Sequence, residues 1–145
     1  MKQVTKLVIG SELDNKFLSG LKQAYMLEKA GYGPKAGNAL LEQVYGNSIV
    51  SRDGITNIKN FFLEDPVENQ AVRTVFEASS QSNKNVGDGT TATVLLSVLL
   101  YEEAKKQLAT GKNRMEISSR LKEVSYSIIN QLFNLFHNPL YPPIT

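Results

Sequence analysis

The stretch Val86-Gly-Asp-Gly-Thr-Thr-Ala-Thr-Val94 places two glycines around an acid and then two hydroxyl side chains, directly before the most apolar run of the chain. That run, residues 94–100, continues into residues 101–108, which contain no Gly or Pro and are rich in good helix formers. The pattern predicts a deeply buried helix over 92–108, with the hydroxyls of Thr90 and Thr91 in the turn that starts it.

A glycine turn that opens a helix is a potential anion site, because the first N–H groups of the helix lack partners and the helix dipole is positive there. Asp88 would repel an anion unless a metal ion lay between them, which points to nucleotide phosphate with magnesium. The same residues also fit an ordinary helix cap after a glycine turn. This stretch alone does not decide between the two interpretations.

Composition narrows the function classes. The 145 residues are 41% hydrophobic and 21% charged, which is typical of one globular domain or a piece of one. A net charge of +2 does not favour nucleic-acid or membrane partners. The absence of cysteine excludes disulfides and thiolate metal sites and fits a cytoplasmic location. The N-terminus lacks a signal-peptide pattern, and no apolar run approaches the ~20 residues of a membrane span.

The first half of the chain predicts one helix between β segments. A strand is expected over Val4–Ile9, followed by a helix with Ser11 as N-cap and Leu13, Phe17, Leu21 and Ala24 on its inner face. That helix should end near Ala30, before Gly31–Pro34. Residues 38–45 and 48–51 predict a hairpin around a two-residue turn at Gly46-Asn47. A tight turn follows at 52–55, and 56–62 is predicted to be irregular apart from a short helical turn.

The second half predicts three helices. Asp65 and Pro66 suit the N-cap and first position of a helix, which should end with the polar run 79–85, near the glycine turn. Its inner stripe is Val67, Ala71, Val75 and Ala78, widened by Val72 and Phe76. After the helix at 92–108, a last helix carries Ile117, Leu121, Val124, Ile128, Leu132 and Leu135 at steps of three and four. Three prolines make the tail at 137–145 irregular.

Common catalytic and nucleotide motifs are missing. Gly111-Lys112 lacks the context of a phosphate-binding P-loop, and Gly31-x-Gly33-x-x-x-Gly37 misses the dinucleotide fingerprint by one residue. The single histidine, His137, has no carboxylate partner nearby in sequence and reads as a surface residue.

Three sharp loops remain as candidate site elements: residues 31–37, residues 51–54 and residues 87–91. If they converge, they bring together two carboxylates, two hydroxyls and exposed backbone amides, which suits magnesium with phosphate oxygens. Each loop taken singly is also consistent with a plain turn.

The order and spacing of four motifs resemble the N-terminal part of the equatorial domain of group I chaperonins, the GroEL type. The motifs are Tyr32-Gly-Pro-Lys-Ala-Gly-Asn38, Ser51-Arg-Asp-Gly-Ile55, Phe62-Leu-Glu-Asp-Pro-Val-Glu-Asn69 and Gly87-Asp-Gly-Thr-Thr-Ala-Thr-Val-Leu95. The resemblance covers residues 5 to 135. The fold it implies is mostly α: the N-terminal half of the equatorial helical bundle, with a small β-hairpin and an N-terminal strand. The division it implies is a partial ATP-binding domain over 1–136 and an irregular tail over 137–145.

The resemblance also implies a function, that of a subunit of an ATP-dependent protein-folding ring. It assigns Tyr32, Gly33 and Pro34 to nucleotide binding, Gly89, Thr90 and Thr91 to phosphate oxygens, and Asp88 to Mg2+. Asp53 would lie beside the terminal phosphate and the attacking water, and K+ is a further candidate ion. The implied partners are other ring subunits, together with a co-chaperonin and unfolded polypeptides for a full-length subunit. The N-terminal strand would pair with the hairpin of a neighbouring subunit.

Departures from the family pattern limit these expectations. Gly31 replaces a threonine, Arg52 replaces a lysine, and one threonine is missing after Thr91, which either tightens the turn or rotates the next helix by about a third of a turn. The second half of the nucleotide pocket is not part of the matched pattern. We therefore expect a truncated or divergent equatorial half that binds Mg-ATP phosphates and hydrolyses ATP weakly or not at all. The competing hypothesis is a non-enzymatic helical subunit that docks on a partner through its N-terminal strand.

Overall fold

The computed structural model describes residues 7–42 and 46–136, and this part of the chain is mostly helical, as predicted. The elements in order are α1 (Gly10–Ala30), β1 (Ala39–Leu41), β2 (Ile49–Ser51), α2 (Gly54–Lys59), α3 (Pro66–Val86), α4 (Thr90–Ala109) and α5 (Arg114–Phe136). The chain divides into two compact units, one up to Glu102 and one from Glu103 onward. Within the described residues, no helix is long and apolar enough to cross a membrane.

The first unit is built around the packing of α1 against α3. Gly20 is buried in the middle of α1, and a β-carbon built there would lie 2.7 Å from the α-carbon of Glu68 and would overlap its carbonyl oxygen. Only glycine therefore allows the two helix backbones to approach so closely. Gln23 Nε2, one turn further along α1, donates to Glu68 Oε2 at 2.9 Å.

The core of this unit brings together α1, α2, α3 and the first half of α4. Its buried side chains are Leu21, Ala24, Ile58, Ala71, Val72, Val75, Val94 and Val98. Half-buried aromatic and leucine side chains surround it: Phe17, Tyr25, Phe61, Leu63, Phe76 and Tyr101. A face of apolar residues from each helix thus supplies one shared core, as expected when amphipathic helices pack together.

Helix α3 ends beside the glycine turn, as predicted, but one residue of its predicted inner stripe is exposed. The helix continues to Val86, and Ser79 lies fully buried while Ala78 is exposed. The hydroxyl of Ser79 donates to the carbonyl oxygen of Thr90 at 3.1 Å, which satisfies a polar group inside the core. Polar side chains stop a helix only when they compete for its backbone, and here Ser79 bonds to another element instead.

The start of α3 confirms the predicted cap. Asp65 Oδ1 accepts from the N–H groups of Val67 and Glu68, with Pro66 at the first helical position. Asp65 Oδ2 also accepts from Lys16 Nζ of α1 at 2.6 Å. This bond, helped by the two N–H groups, lowers the pKa of Asp65, and the same bond raises the pKa of Lys16.

Two further local predictions are wrong. The first residue of α1 is preceded by Ile9 at the N-cap position, so Ser11 lies inside the helix and does not cap it. Residues 54–59 form the regular helix α2, with Asp53 as its N-cap. Arg73 of α3 donates to the carbonyl oxygens of Ile58 and Lys59 in the last turn of α2 and to that of Phe61 just after it, and so stabilises the helix end from a distance in sequence.

The hairpin is confirmed as an antiparallel pair, but its predicted two-residue turn is wrong. The register pairs Ala39 with Ser51 and Leu41 with Ile49, so residues 42–48 connect the strands. Residues 43–45 of the predicted first strand lie outside the described residues, as do residues 4–6 of the N-terminal strand and the tail at 137–145. Residues 7–9 have no regular secondary structure.

The helix expected to be deeply buried is buried along one edge only. Val94 and Val98 of α4 are inaccessible, whereas Leu96, Leu99 and Leu100 are exposed by 58%, 48% and 42%. In the second unit, α5 has no buried residue, and five of the six residues predicted for its inner face are exposed: Leu121, Val124, Ile128, Leu132 and Leu135. Large apolar surfaces of this kind are characteristic of faces that pack against other protein.

Replacing Gly20 by Ala tests the close approach of α1 and α3. Alanine raises helix propensity by about 1 kcal/mol, but its β-carbon must displace the backbone of Glu68, and overpacking costs about 1 to 3 kcal/mol or more. We expect a net loss of stability of about 2 kcal/mol, measured by urea unfolding. Gly37→Ala is the control, because a β-carbon at Gly37 meets no atom within 4 Å. Equal stability of Gly20→Ala and wild type would contradict the packing described.

The Asp65–Lys16 pair predicts acid sensitivity. Because the pKa of Asp65 is lowered in the folded protein, the pair stabilises the fold above the unfolded pKa of Asp65 and ceases to do so as pH falls through the folded value. We expect Asp65→Asn, which keeps a capping side chain, to lose less stability than wild type between neutral pH and about pH 3. Glu77→Gln, exposed on α3, controls for the removal of one charge. Parallel unfolding curves for wild type and Asp65→Asn would refute this expectation.

Candidate functional site

The first predicted loop follows α1 directly and folds back onto its last turn. The N–H of Gly37 donates to the carbonyl oxygen of Ala30 at 2.9 Å, and the N–H of Ala36 donates to that of Gly33 at 3.1 Å. Gly33 has a φ of +87°, a conformation that favours glycine. Tyr32 and Pro34 are exposed beside it, so all three residues assigned to the nucleotide lie on an accessible turn.

The second loop is the start of α2. Asp53 Oδ2 accepts from the N–H of Thr56 at 3.0 Å and from its hydroxyl at 2.5 Å, so this carboxylate caps the helix. The N–H of Asp53 donates in turn to the hydroxyl of Ser51 at 3.0 Å. Asp53 is exposed. The residue predicted to be catalytic therefore also has a structural role, which accounts for part of its hydrogen-bonding capacity.

The third loop joins α3 to α4 through two left-handed glycines. Gly87 and Gly89 have φ values of +79° and +76°, which other residues rarely adopt. Asp88 between them is exposed, and its Oδ1 accepts from the N–H of Gly89 at 2.6 Å. The hydroxyl of Ser82 donates to the carbonyl oxygen of Asp88 at 3.0 Å. The glycines thus fix a sharp turn that presents the Asp88 carboxylate at the surface.

This turn leads into α4, which begins at Thr90 as predicted. The first N–H groups of a helix have no acceptor within it, and α4 carries no acidic residue in its first turn that would oppose an anion. Thr93 bonds back to this end, since its N–H and its hydroxyl both donate to the carbonyl oxygen of Gly89. A 20-residue helix with an unblocked start meets the physical requirements of an anion site.

Two of the three loops contact one side chain that the sequence analysis missed, that of Glu28 near the end of α1. The hydroxyl of Thr91 donates to Glu28 Oε2 at 2.9 Å. A β-carbon at Gly54 would overlap both of these oxygen atoms, so the start of α2 packs directly on the pair. At the end of α1, a β-carbon at Gly31 would lie 3.3 Å from the carbonyl oxygen of Arg52. The structure therefore brings together Gly31 with Arg52, and Gly54 with Thr91 and Glu28, whereas the side chain of Asp88 bonds within its own turn.

Glu28 is unusual for a carboxyl group because only 1% of it is exposed. Its second oxygen, Oε1, is buried without a hydrogen-bond partner among the described residues. Burial raises its pKa, the bond from Thr91 opposes this rise, and the negative charge of Asp53 adds to it. The sequence does contain a signal for this residue, since Glu28 continues the inner-face spacing of Leu21 and Ala24.

The carboxylates do not form a metal site on their own. Within residues 7–42 and 46–136, no group of three or more His, Asp or Glu side chains is arranged to hold a metal ion. The polar contacts of Asp88 are with its own turn, through Gly89 and Ser82. A cation at this carboxylate would need further oxygen ligands from a bound molecule or from water.

Comparison with known proteins gives a family and a fold. Residues 26–139 match the TCP-1/cpn60 chaperonin family. A group III chaperonin in the open state has 25% sequence identity and a TM-score of 0.66, over 87% of this chain and 24% of that one. The chaperonin gp146 of bacteriophage EL 2 (Pseudomonas aeruginosa), crystallised with ATP-BeFx, shares the fold at 24% identity and a TM-score of 0.64. That match covers 70% of this chain and 18% of the phage protein.

These matches confirm the fold class predicted from the motifs, an N-terminal portion of a chaperonin equatorial domain. The chain spans less than a quarter of the length of either solved chaperonin. The family match begins inside α1 and covers Glu28 and all three loops. The chain therefore belongs to the TCP-1/cpn60 chaperonin family.

Proposed function

We propose that this chain carries the phosphate- and magnesium-binding part of a chaperonin ATP site. The observation that supports it most directly is the meeting of three chain segments, the end of α1, the start of α2 and the start of α4, at the Thr91–Glu28 hydrogen bond and Gly54. Unrelated turns have no reason to converge, whereas a nucleotide needs groups from several chain segments at one point.

The phosphate groups would bind at the start of α4. Gly89, Thr90 and Thr91 offer backbone N–H groups and two hydroxyls there, in the field of the helix dipole. Asp88 would hold Mg2+ together with phosphate oxygens. Magnesium commonly binds through one or two carboxylates plus phosphate and water, so the lack of a larger acidic cluster in the described residues fits this arrangement.

The remaining assigned residues surround this centre in the proposal. Tyr32, Gly33 and Pro34 would contact the nucleotide from the loop after α1, and K+ is a candidate second ion. Asp53 would lie beside the terminal phosphate and orient the attacking water. Because Asp53 Oδ2 caps α2, any contribution of Asp53 to hydrolysis would come from its other carboxylate oxygen, Oδ1.

At the level of the whole protein, we propose a subunit of a protein-folding ring. Other ring subunits would be its constant partners, and a co-chaperonin and unfolded polypeptides would bind a full-length subunit. The exposed leucines of α4 and the exposed apolar side chains of α5 suit surfaces covered by further protein. Because the matched segment is less than a quarter of the solved chaperonins, we expect this chain alone to hydrolyse ATP weakly or not at all.

Asp88→Ala tests the magnesium assignment. Losing the only proposed protein ligand of the ion should abolish the magnesium-dependent part of ATP binding, while binding without magnesium changes little. Isothermal titration with ATP, with and without Mg2+, measures both parts. Glu77→Ala, an exposed carboxylate removed from α3, is the matched control and should bind as wild type does.

The same titration separates this function from the competing one. A subunit that only docks on a partner through its N-terminal segment would give no heat with millimolar Mg-ATP, even with its helical circular dichroism intact. That result would overturn the ATP-binding proposal.

Oligomeric mass tests the ring assignment separately. We expect light scattering to report assemblies larger than a monomer, because α4 and α5 expose apolar faces that water solvates poorly. The measurement is made with and without Mg-ATP. A small monomer that stays monodisperse under both conditions would contradict the assignment.

A further inference from the structure

If the proposed function is correct, two acceptors compete for the single hydroxyl hydrogen of Thr91. Thr91 has a single O–H, and in this structure it donates to Glu28 Oε2 at 2.9 Å. The proposed phosphate site requires the same hydroxyl to donate to an anionic oxygen. It cannot do both at once, so either Thr91 contributes little to phosphate binding or its hydrogen bond with Glu28 changes direction.

The surroundings of Glu28 favour a change of direction. Its carboxyl group is buried, Oε1 has no partner among the described residues, and Gly54 packs against Oε2. A buried carboxylate that accepts a single hydrogen bond is poorly compensated, and an incoming phosphate would add a second negative charge close by.

Among the described residues, the charge that acts on Glu28 is negative rather than positive. From the start of α2 the charged group acting on it is Asp53, and from α4 the facing group is the neutral hydroxyl of Thr91. The next residue on α1, Lys29, is exposed and lies over the ring of Tyr25, 5.6 Å from its centroid. Protonation of Glu28 is therefore the available route to a neutral cluster.

We propose that Glu28 is a positioning residue of the phosphate site, which carries a proton on Oε2 when phosphate binds and so turns the hydroxyl of Thr91 toward the ligand. The proton comes from solvent. Glu28 then donates a hydrogen bond to Thr91 Oγ1. The hydroxyl of Thr91 is thereby left to donate its own hydrogen bond to a phosphate oxygen. This inference rests on the proposed ATP site and adds to it a residue outside the four family motifs, together with coupling between phosphate binding and proton uptake.

Glu28→Gln tests the proposal because a glutamine amide can donate to Thr91 permanently. Binding of Mg2+ with a non-hydrolysable ATP analogue is measured by titration calorimetry in both proteins, from about pH 5 to about pH 8. The ionisation of the ligand itself cancels in the ratio of the two affinities. We expect equal affinities at the acidic end and about tenfold tighter binding by the variant at the alkaline end, the worth of one hydrogen bond to a charged group.

The outcomes separate the two proposals. An affinity ratio that stays constant with pH overturns the role of Glu28 and leaves the ATP site standing. No binding by folded wild-type protein at any pH overturns the ATP site itself. Thr91→Val provides a second variant that keeps the side-chain shape: in that background the gain in affinity from Glu28→Gln should shrink to the part due to the removed charge, and a persisting tenfold effect would contradict the proposed path through Thr91.

A measurement without nucleotide examines the proton on Glu28 directly. Because its folded pKa is raised, Glu28 stabilises the fold below its unfolded pKa and loses that contribution as pH rises through the folded value. The unfolding free energy of wild type should therefore fall relative to Glu28→Gln as pH rises. Glu64→Gln, an exposed carboxyl elsewhere, controls for the lost charge. Parallel curves for wild type and Glu28→Gln would overturn the proposal.

Discussion

The close approach of α1 and α3 at Gly20 is the constraint on which the rest of the first unit depends. The absence of a side chain at Gly20 lets the backbone of α1 contact the backbone of Glu68. Each helix is 21 residues long, and each ends in one of the loops of the candidate site. The contact between the middle of α1 and the first turn of α3 therefore helps to fix where the loops at the ends of these helices lie. A rigid scaffold that carries functional groups on its loops is the common arrangement in binding proteins.

The second feature of this region is Glu28, whose burial lowers the stability of the fold although the residue lies at the candidate site. A buried carboxyl group with one oxygen unpartnered costs free energy, and an apolar residue of similar size would suit the same position on α1 better. The group nevertheless lies where three chain segments meet, beside the start of a long helix. Buried groups with a perturbed pKa are concentrated at functional sites, although structural networks produce them too. Here the buried Glu28 carboxyl group, which destabilises the fold, is hydrogen-bonded directly to Thr91 of the proposed phosphate site.

The apolar surfaces of α4 and α5 are the third feature. The hydrophobic run at the start of α4 is apolar at six of seven positions, yet only Val94 and Val98 are inaccessible. Exposed leucines on one helix and an unburied apolar stripe on another are unfavourable in water. Family membership gives these faces a context, because the chain covers less than a quarter of each solved chaperonin to which it is similar.

Much of the local structure could be predicted because its causes lie close together in sequence. The cap at Asp65-Pro66, the start of α4 at Thr90 and the left-handed turn at Gly87 and Gly89 depend on neighbouring residues, and these predictions are confirmed. The hairpin was predicted but not its register, because the pairing of Leu41 with Ile49 depends on how two strands align rather than on the Gly46-Asn47 turn. The end of α3 near the glycine turn was predicted, but the burial of Ser79 in place of Ala78 was not, because the polar Ser79 is stabilised by Thr90, eleven residues away.

The candidate site, too, could be predicted from local sequence only in part. The sequence by itself determined the family, the three loops and the residue types that suit phosphate and magnesium, because motif spacing and turn chemistry are local properties. Only the tertiary structure decided that Gly31, Gly54 and Thr91 come together, and that Glu28 lies buried between them. The reason is that burial, and with it the raised pKa of Glu28, arises from side chains separated by 63 positions that pack into one low-dielectric cluster. No local sequence pattern predicts a contact between residues that far apart in the chain.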